Sequence, residues 1–136
     1  MITLNFEALN FELKIMAEHN ETGTKGEGLA SDFLKNKGYE ILETNWRLNH
    51  LEADIIAKIS KTLVVIEVKT RKNNYFGEPE TFVNKQKQAN LIKVAQNYIE
   101  RYNLDFEVRF DIISVITGTN PTTINHIEDA FYPKVR

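Results

Sequence analysis

The chain contains no cysteine among its 136 residues. Disulfide bonds, thiolate chemistry and zinc sites with cysteine ligands are therefore excluded. The three histidines, His19, His50 and His126, are widely separated and show no metal-ligand spacing. We interpret all three as structural or solvated residues.

Long apolar runs are missing as well. No segment approaches the ~20 apolar residues that a membrane-spanning helix needs. The N-terminal residues lack the basic region and apolar core of a signal peptide. We therefore expect a cytoplasmic protein with no membrane partner.

The sequence also lacks a strong surplus of one charge. Its formal net charge is −2, whereas proteins that coat nucleic acid are usually basic overall. This balance argues against such a protein, but it leaves room for an enzyme with a local basic patch around an acidic site.

The hydrophobic pattern predicts one α/β domain over residues 16–136. Its order is α-β-β-β-α-β with a final strand. A helix over residues 22–37 carries an apolar stripe and ends at Gly38, and a second helix runs from about residue 82 to residue 102. The predicted strands cover residues 39–48, 52–59, 62–70, 106–117 and 123–131.

Residues 1–15 form a separate segment in which apolar residues alternate with a slip in the middle. This pattern is compatible with an added edge strand or a swapped arm. We favour a poorly ordered extension, which is common at chain termini.

Charged residues interrupt the two strands on either side of Ser60-Lys61. Because side chains alternate along a strand, Glu67 and Lys69 share one face. A tight turn centred between Ser60 and Lys61 places Asp54 directly opposite Glu67, where like charges repel. Two carboxylates in such a position require a proton or a cation between them, and the candidates are Lys69 and a divalent metal such as Mg²⁺.

Glu27 is a candidate third carboxylate. It shares the inward edge of the first helix with Ala30 and Leu34. A lone Glu-x-Lys sequence is most often a solvated strand face. Here the opposed acids, the apolar character of the strand around Glu67 and the position of Glu27 favour a chemical role.

In this combination the sequence resembles the PD-(D/E)xK nuclease superfamily, and more narrowly the YraN-like family of bacterial endonuclease-like proteins, which are related to Holliday-junction resolvases. The resemblance covers residues 16 to about 131. The matching residues are Gly23, Gly26-Glu27, Ala30, Asn45-Trp46-Arg47, Glu52, Asp54, VVIEVKTR at 64–71, Phe76-Gly77, Lys85 and Arg109-Phe110-Asp111.

The resemblance implies a restriction-endonuclease-like core with a mixed β-sheet flanked by helices. It implies that Asp54, Glu67 and the Val68 carbonyl bind Mg²⁺ or Mn²⁺, that Lys69 is catalytic and that Glu27 is a supporting ligand or positions water. The implied function is metal-dependent hydrolysis of DNA. By analogy with resolvases, the substrate would be branched DNA and the protein a homodimer.

Basic residues near these positions form a candidate phosphate-binding rim, since phosphate contacts supply affinity without reading sequence. We assign Arg47, Thr70, Arg71 and Lys85 to this rim. We interpret Lys72 and Lys87 as ordinary surface charge. Arg109 and Asp111 share a strand face, which predicts an internal ion pair.

Two alternatives remain at this point. In the first, the chain is a nucleic-acid-binding or scaffold protein on a nuclease fold, with little or no catalysis. Alternatively, Lys69 and Arg71 would neutralise Asp54 and Glu67 for purely structural reasons.

Overall fold

The computed structural model of the protein describes residues 23–72 and 83–133. Helix α1 covers residues 23–36, and helix α2 covers Lys85–Tyr102. The strands are β1 (Glu40–Leu48), β2 (Leu51–Ile59), β3 (Thr62–Arg71), β4 (Glu107–Ile116) and β5 (Thr123–Ile127). The predicted order of elements is confirmed. The predicted extension at residues 1–15 lies outside the described residues, as do Phe76 and Gly77.

The five strands form one mixed sheet in the order β1-β2-β3-β4-β5. Strands β3 and β4 are parallel, and the other three neighbouring pairs are antiparallel. A parallel pair needs a long crossover, and α2 lies in the connection between β3 and β4. The predicted mixed sheet flanked by helices is thus confirmed.

Each face of the sheet carries its own apolar cluster, one beneath each helix. Alternation along β3 divides its side chains, with Val64 and Ile66 in the α1 cluster and Leu63 and Val65 in the α2 cluster. Because both faces are covered, β3 reads as a nearly continuous apolar run. The same alternation assigns Glu67 to the α2 face.

The β2–β3 hairpin has the predicted register. Ile59 pairs with Thr62 across a two-residue turn, and the ladder continues to Ile55 opposite Ile66. Ser60 lies in the turn with a φ of 51°, in the left-handed region that such tight turns require. The short turn fixes which residues of the two strands face each other.

The helices end and pack largely as predicted. Gly38 follows α1 with a φ of 92°, a conformation that glycine adopts without strain. Helical spacing in the sequence predicts one apolar stripe on α2, formed by Leu91, Ile92, Ala95, Tyr98, Ile99 and Tyr102. Leu91, Ala95 and Tyr98 are buried as this predicts, whereas Tyr102 is 48% exposed and Val94, outside the predicted stripe, is buried. No helix in the described ranges is long and apolar enough to cross a membrane.

A polar network centred on Asp111 joins β4, β5 and the end of α1. Arg109 donates to both Asp111 carboxylate oxygens, at 2.9 and 2.8 Å, and the Asp129 N–H donates to Oδ1 at 2.9 Å. The Lys37 ammonium can only donate, so His126 Nδ1, 2.8 Å away, accepts. His126 Nε2 therefore carries the hydrogen that is donated to Asp111 Oδ2, 2.7 Å away. The predicted Arg109–Asp111 ion pair is confirmed, and His126 is structural.

We expect Asp111→Asn to destabilise the protein by about 3 kcal/mol or more, because it leaves the part-buried Arg109 without its counter-charge. Urea unfolding, with the exposed Asp105→Asn as control, measures this loss. Burial opposes ionisation of Asp111, but hydrogen bonds from His126, Arg109 and Asp129 outweigh it and lower its pKa.

The pH dependence of this loss has a defined sign. A lowered carboxyl pKa contributes stability that is complete above the unfolded pKa of about 3.9 and is lost as the pH falls through the folded value. The difference between wild type and Asp111→Asn should therefore persist from pH 8 to about pH 5 and shrink only in stronger acid. Equal stabilities of Asp111→Asn and Asp105→Asn would contradict this role.

Candidate active site

Strands β2 and β3 part at the end of their ladder, and an acidic pair occupies the fork. Regular pairing reaches Ile55 and Ile66, and one step further the same register brings Asp54 opposite Glu67. There the Val68 N–H donates to Asp54 Oδ2 at 2.8 Å. A side-chain carboxylate thus takes the place of a backbone acceptor, and it holds Asp54 against β3.

Burial shapes the electrostatics of this pair. The Glu67 side chain is 6% exposed. Burial raises the pKa of Glu67 to about 7, with a further increase from the negative charge of Asp54. Burial also raises the pKa of Asp54, opposed by the Val68 N–H and by the positive charge of Lys87. A hydrogen bond between the two carboxyls lowers the pKa of Asp54 and raises that of Glu67, as expected if Glu67 holds a shared proton.

Two lysines flank the Glu67 carboxylate, one beside each oxygen. Lys69 Nζ lies 3.7 Å from Oε1, and Lys87 Nζ lies 3.7 Å from Oε2. Both distances exceed the roughly 2.7–2.9 Å of a charge-assisted hydrogen bond. Glu67 Oε2 is buried and accepts no hydrogen bond within the described part of the chain. The lysines therefore balance charge without fully satisfying the carboxylate.

Glu27 approaches the acidic pair from α1. Gly26 allows this approach, because a Cβ at that position would overlap the Thr70 side chain on β3. Burial raises the pKa of Glu27, a hydrogen bond with the Asn45 side chain lowers it, and the negative charge of Asp54 raises it again. Glu27 thus lies within electrostatic reach of Asp54, as the inward edge of α1 predicted.

Asn45 contributes to the site from β1. The β1–β2 ladder pairs Thr44 with Ile55 and Trp46 with Ala53, so Asn45 stands opposite Asp54. Its φ of 50° departs from regular strand geometry. Our interpretation of the sequence gave Asn45 no role beyond its match to the family pattern. Asparagine adopts the left-handed conformation more readily than most residues. An asparagine within a strand is therefore the only hint in the sequence of this irregular backbone position.

The predicted rim residues are distributed around this centre. Arg47 adjoins it through Glu52, with Nε 3.7 Å from Oε2, and its side chain is 74% exposed. Thr70 and Arg71 continue β3 beyond Lys69 and are partly buried. Lys85 begins α2 and is exposed. The structure brings Asp54, Glu67, Lys69 and Glu27 into one region and leaves Lys85 at its periphery.

The interpretation of Lys87 as ordinary surface charge was wrong. Its side chain is only 28% exposed, and Nζ also lies 3.9 Å from Glu52 Oε1. Lys87 precedes the buried Leu91 by one helical turn, so it continues the apolar stripe of α2 toward the site. That spacing is visible in the sequence, and it distinguishes Lys87 from Lys85.

The carboxylates present suit a hard cation, although their number is limited. Within residues 23–72 and 83–133, no group of three or more His, Cys, Asp or Glu side chains is positioned to hold a metal ion. The site therefore offers two closely placed carboxylates, Asp54 and Glu67, with Glu27 at longer range.

The element order, the mixed sheet and the hairpin that carries the acidic pair define an α/β protein with a restriction-endonuclease-like core. Comparisons with known proteins then identify the family. Residues 26–115 match the model of "Uncharacterised protein family UPF0102", which is the YraN family. The chain belongs to this family, and the resemblance inferred from the sequence is confirmed.

Relatives in the family match over nearly their whole length. A UPF0102 protein of Christiangramia forsetii is 51% identical over 117 residues, which are 86% of this chain and 98% of that protein. A UPF0102 protein of Phocaeicola vulgatus is 47% identical over 120 residues, which are 88% and 99% of the two chains. Another, from Flavobacterium psychrophilum, is 49% identical over 117 residues, which are 86% and 98%.

We expect Glu67→Gln to stabilise the metal-free protein at pH 8. The pKa of Glu67 is raised from 4.5 to about 7, so ionisation weakens the fold as the pH rises from about 4.5 through about 7, and the penalty is complete above that range. An amide cannot ionise, and its gain should be on the order of 2–3 kcal/mol at pH 8.

Urea unfolding at pH 4 and at pH 8 measures this gain. The exposed Glu40→Gln serves as the control for loss of one charge. The advantage of Glu67→Gln should be absent at pH 4. A variant that is less stable than wild type at pH 8 would show that the ionised carboxylate stabilises the fold.

Proposed function

We propose that this protein is a metal-dependent endonuclease that hydrolyses phosphodiester bonds in DNA. The observation that carries the proposal is the acidic pair at the fork of β2 and β3, in which Asp54 is fixed by the Val68 N–H at 2.8 Å. Burying two like charges side by side destabilises a fold, so folding alone does not explain this pair. Perturbed carboxyls beside a lysine are typical of catalytic sites.

The residues at this fork fit a divalent metal ion. Glu67 Oε2 is buried without a hydrogen-bond partner in the described residues, and only one oxygen of Asp54 is engaged by Val68. Mg²⁺ prefers hard oxygen ligands and is often held by one or two carboxylates with water and substrate phosphate. Asp54 and Glu67 would hold Mg²⁺ or Mn²⁺, with the Val68 carbonyl as a further ligand.

Each neighbouring residue then has a defined task. Lys69 orients the attacking water and offsets the phosphate charge, while Glu27 positions water from the α1 side. The water oxygen forms a bond to phosphorus as the bond to the leaving sugar oxygen breaks, the water loses a proton to solvent, and the leaving oxygen gains one. A bound Mg²⁺ or Mn²⁺ would supply Lewis-acid stabilisation of the charge that develops on the phosphoryl oxygens.

The surrounding basic residues are proposed to bind the DNA backbone. Arg47, Thr70, Arg71 and Lys85 would contact phosphates, which gives affinity that depends on salt and not on base sequence. Branched DNA as the substrate and a homodimer as the active form follow from the likeness to Holliday-junction resolvases, which is an analogy of fold.

We expect Asp54→Ala, Glu67→Ala and Lys69→Ala each to lower DNA cleavage by at least about 100-fold, because each removes a group from the charge-stabilising centre. Purified protein is incubated with labelled flap, splayed-arm and four-way DNA in Mg²⁺ or Mn²⁺. Exposed Glu107→Ala and Lys93→Ala are matched controls for the glutamate and the lysine and should retain activity.

The outcomes separate the proposal from its rival. Cleavage that survives all three site substitutions would show that the reaction occurs elsewhere on the protein or comes from a contaminant. DNA binding by the wild type without cleavage of any substrate would instead favour a nucleic-acid-binding or scaffold protein on a nuclease fold.

Metal binding can be tested without turnover. A ligand that binds only the folded state at 100 times its Kd adds ~2.7 kcal/mol of stability. We therefore expect Mg²⁺ or Mn²⁺ to raise the melting temperature of the wild type by several degrees, and to have little effect on Asp54→Asn or Glu67→Gln. Equal metal-induced shifts in wild type and both variants would place the ion outside this site.

A further inference from the structure

Lys87 occupies a helix position where a basic residue is unfavourable. Asn84 caps α2, and its Oδ1 accepts the Lys87 backbone N–H at 2.9 Å. Lys87 is thus the third residue of the helix, where glutamate or glutamine would complete a capping box. The first turn of α2 contains no acidic residue, although the helix dipole favours negative charge there. A local preference broken in this way is expected at functional positions.

The Lys87 ammonium lies between two carboxylates from two strands. It is 3.7 Å from Glu67 Oε2 and 3.9 Å from Glu52 Oε1. The oxygen it faces on Glu67 is the buried one without a hydrogen-bond partner among the described residues. Neither contact reaches hydrogen-bond distance, so the ammonium neutralises the carboxylates without being bound tightly to one of them.

Lys87 approaches the acidic pair as closely as the lysine of the sequence motif does. Each Nζ lies 3.7 Å from a Glu67 oxygen, and the Lys87 side chain is 28% exposed whereas that of Lys69 is 36% exposed. The stem of Lys87 is anchored on α2, while the ammonium is separated from the backbone by four rotatable carbons. The charge can therefore move although the helix does not.

We propose that Lys87 is a placeholder cation of the active site, which balances Glu67 and Glu52 in the metal-free protein and turns to the substrate phosphate when a divalent ion binds. This inference rests on the proposed function. A divalent ion held by Asp54 and Glu67 would repel the nearby ammonium of Lys87. The flexible Lys87 side chain would then be free to offset the negative charge of a substrate phosphate at the edge of the acidic pair.

The inference predicts effects of opposite sign on metal binding and on cleavage. In Lys87→Met, removal of the competing charge should tighten Mn²⁺ binding by about 3-fold or more at low salt, while loss of the phosphate contact slows DNA cleavage. A residue with a merely structural role would weaken both when substituted. Titration calorimetry at pH 8 with Mn²⁺, and cleavage of the best DNA substrate, supply the two measurements.

Two further variants make the comparison specific. Lys93→Met changes the same residue type at an exposed position of the same helix and should leave both measurements unchanged. Lys87→Arg keeps the charge and should restore wild-type metal affinity to a large extent. Urea unfolding shows whether each variant folds. If Lys87→Met does not fold, the cleavage measurement is made on Lys87→Arg and compared with wild type.

Failure of this inference is distinguishable from failure of the proposed function. If the wild type binds Mn²⁺ but Lys87→Met binds it equally or more weakly, the placeholder role is overturned and the metal site stands. If the wild type binds no Mn²⁺, the proposed function fails, and a double-mutant cycle of Lys87→Met with Glu67→Gln in metal-free protein reports the pair itself. A coupling free energy in that cycle would show that the Lys87–Glu67 pair has a purely structural role. No coupling would show that the two residues do not interact. Either result overturns the inference.

Discussion

The hydrogen bond from the Val68 N–H to Asp54 is the contact on which the site depends. At this point β2 and β3 stop pairing, and a strand N–H would be left without its usual acceptor. The Asp54 carboxylate fills that role and is thereby held beside Glu67, although their charges repel. The paired part of the β2–β3 hairpin is buried on both faces. Asp54 and Glu67 therefore cannot move apart without disturbing the packed sheet.

The same sheet treats two buried acids in contrasting ways. Asp111 receives hydrogen bonds from Arg109, His126 and the Asp129 backbone, and its pKa is lowered despite burial. Glu67 is also buried, yet one of its oxygens accepts no hydrogen bond among the described residues, and burial raises its pKa to about 7. One acid therefore stabilises the fold in its ionised form, whereas ionisation of the other weakens the fold.

The sequence predicted the parts of the site that depend on local geometry. The two-residue turn at Ser60-Lys61 and strand alternation were sufficient to bring Asp54 and Glu67 together, because period-two geometry leaves few choices once the turn is known. The rotation of α2 was harder to predict. Lys85 and Lys87 differ by about 200° around a helix, and choosing between them requires knowing which face of α2 packs on the sheet. The irregular backbone at Asn45 likewise follows from its neighbours rather than from its own preference.

The position of Lys87 connects the electrostatics of the site to the apolar core. Leu91 and Val94 are buried against the sheet, and their packing fixes the rotation of α2 about its axis. Lys87 precedes these residues by one and two turns on the same helix face, so the contacts that bury them also aim its ammonium at Glu67. The helix dipole disfavours a lysine in this first turn. Packing along the rest of α2 overrides that preference and places a positive charge 3.7 Å from Glu67 Oε2, the buried oxygen that accepts no hydrogen bond within the described residues.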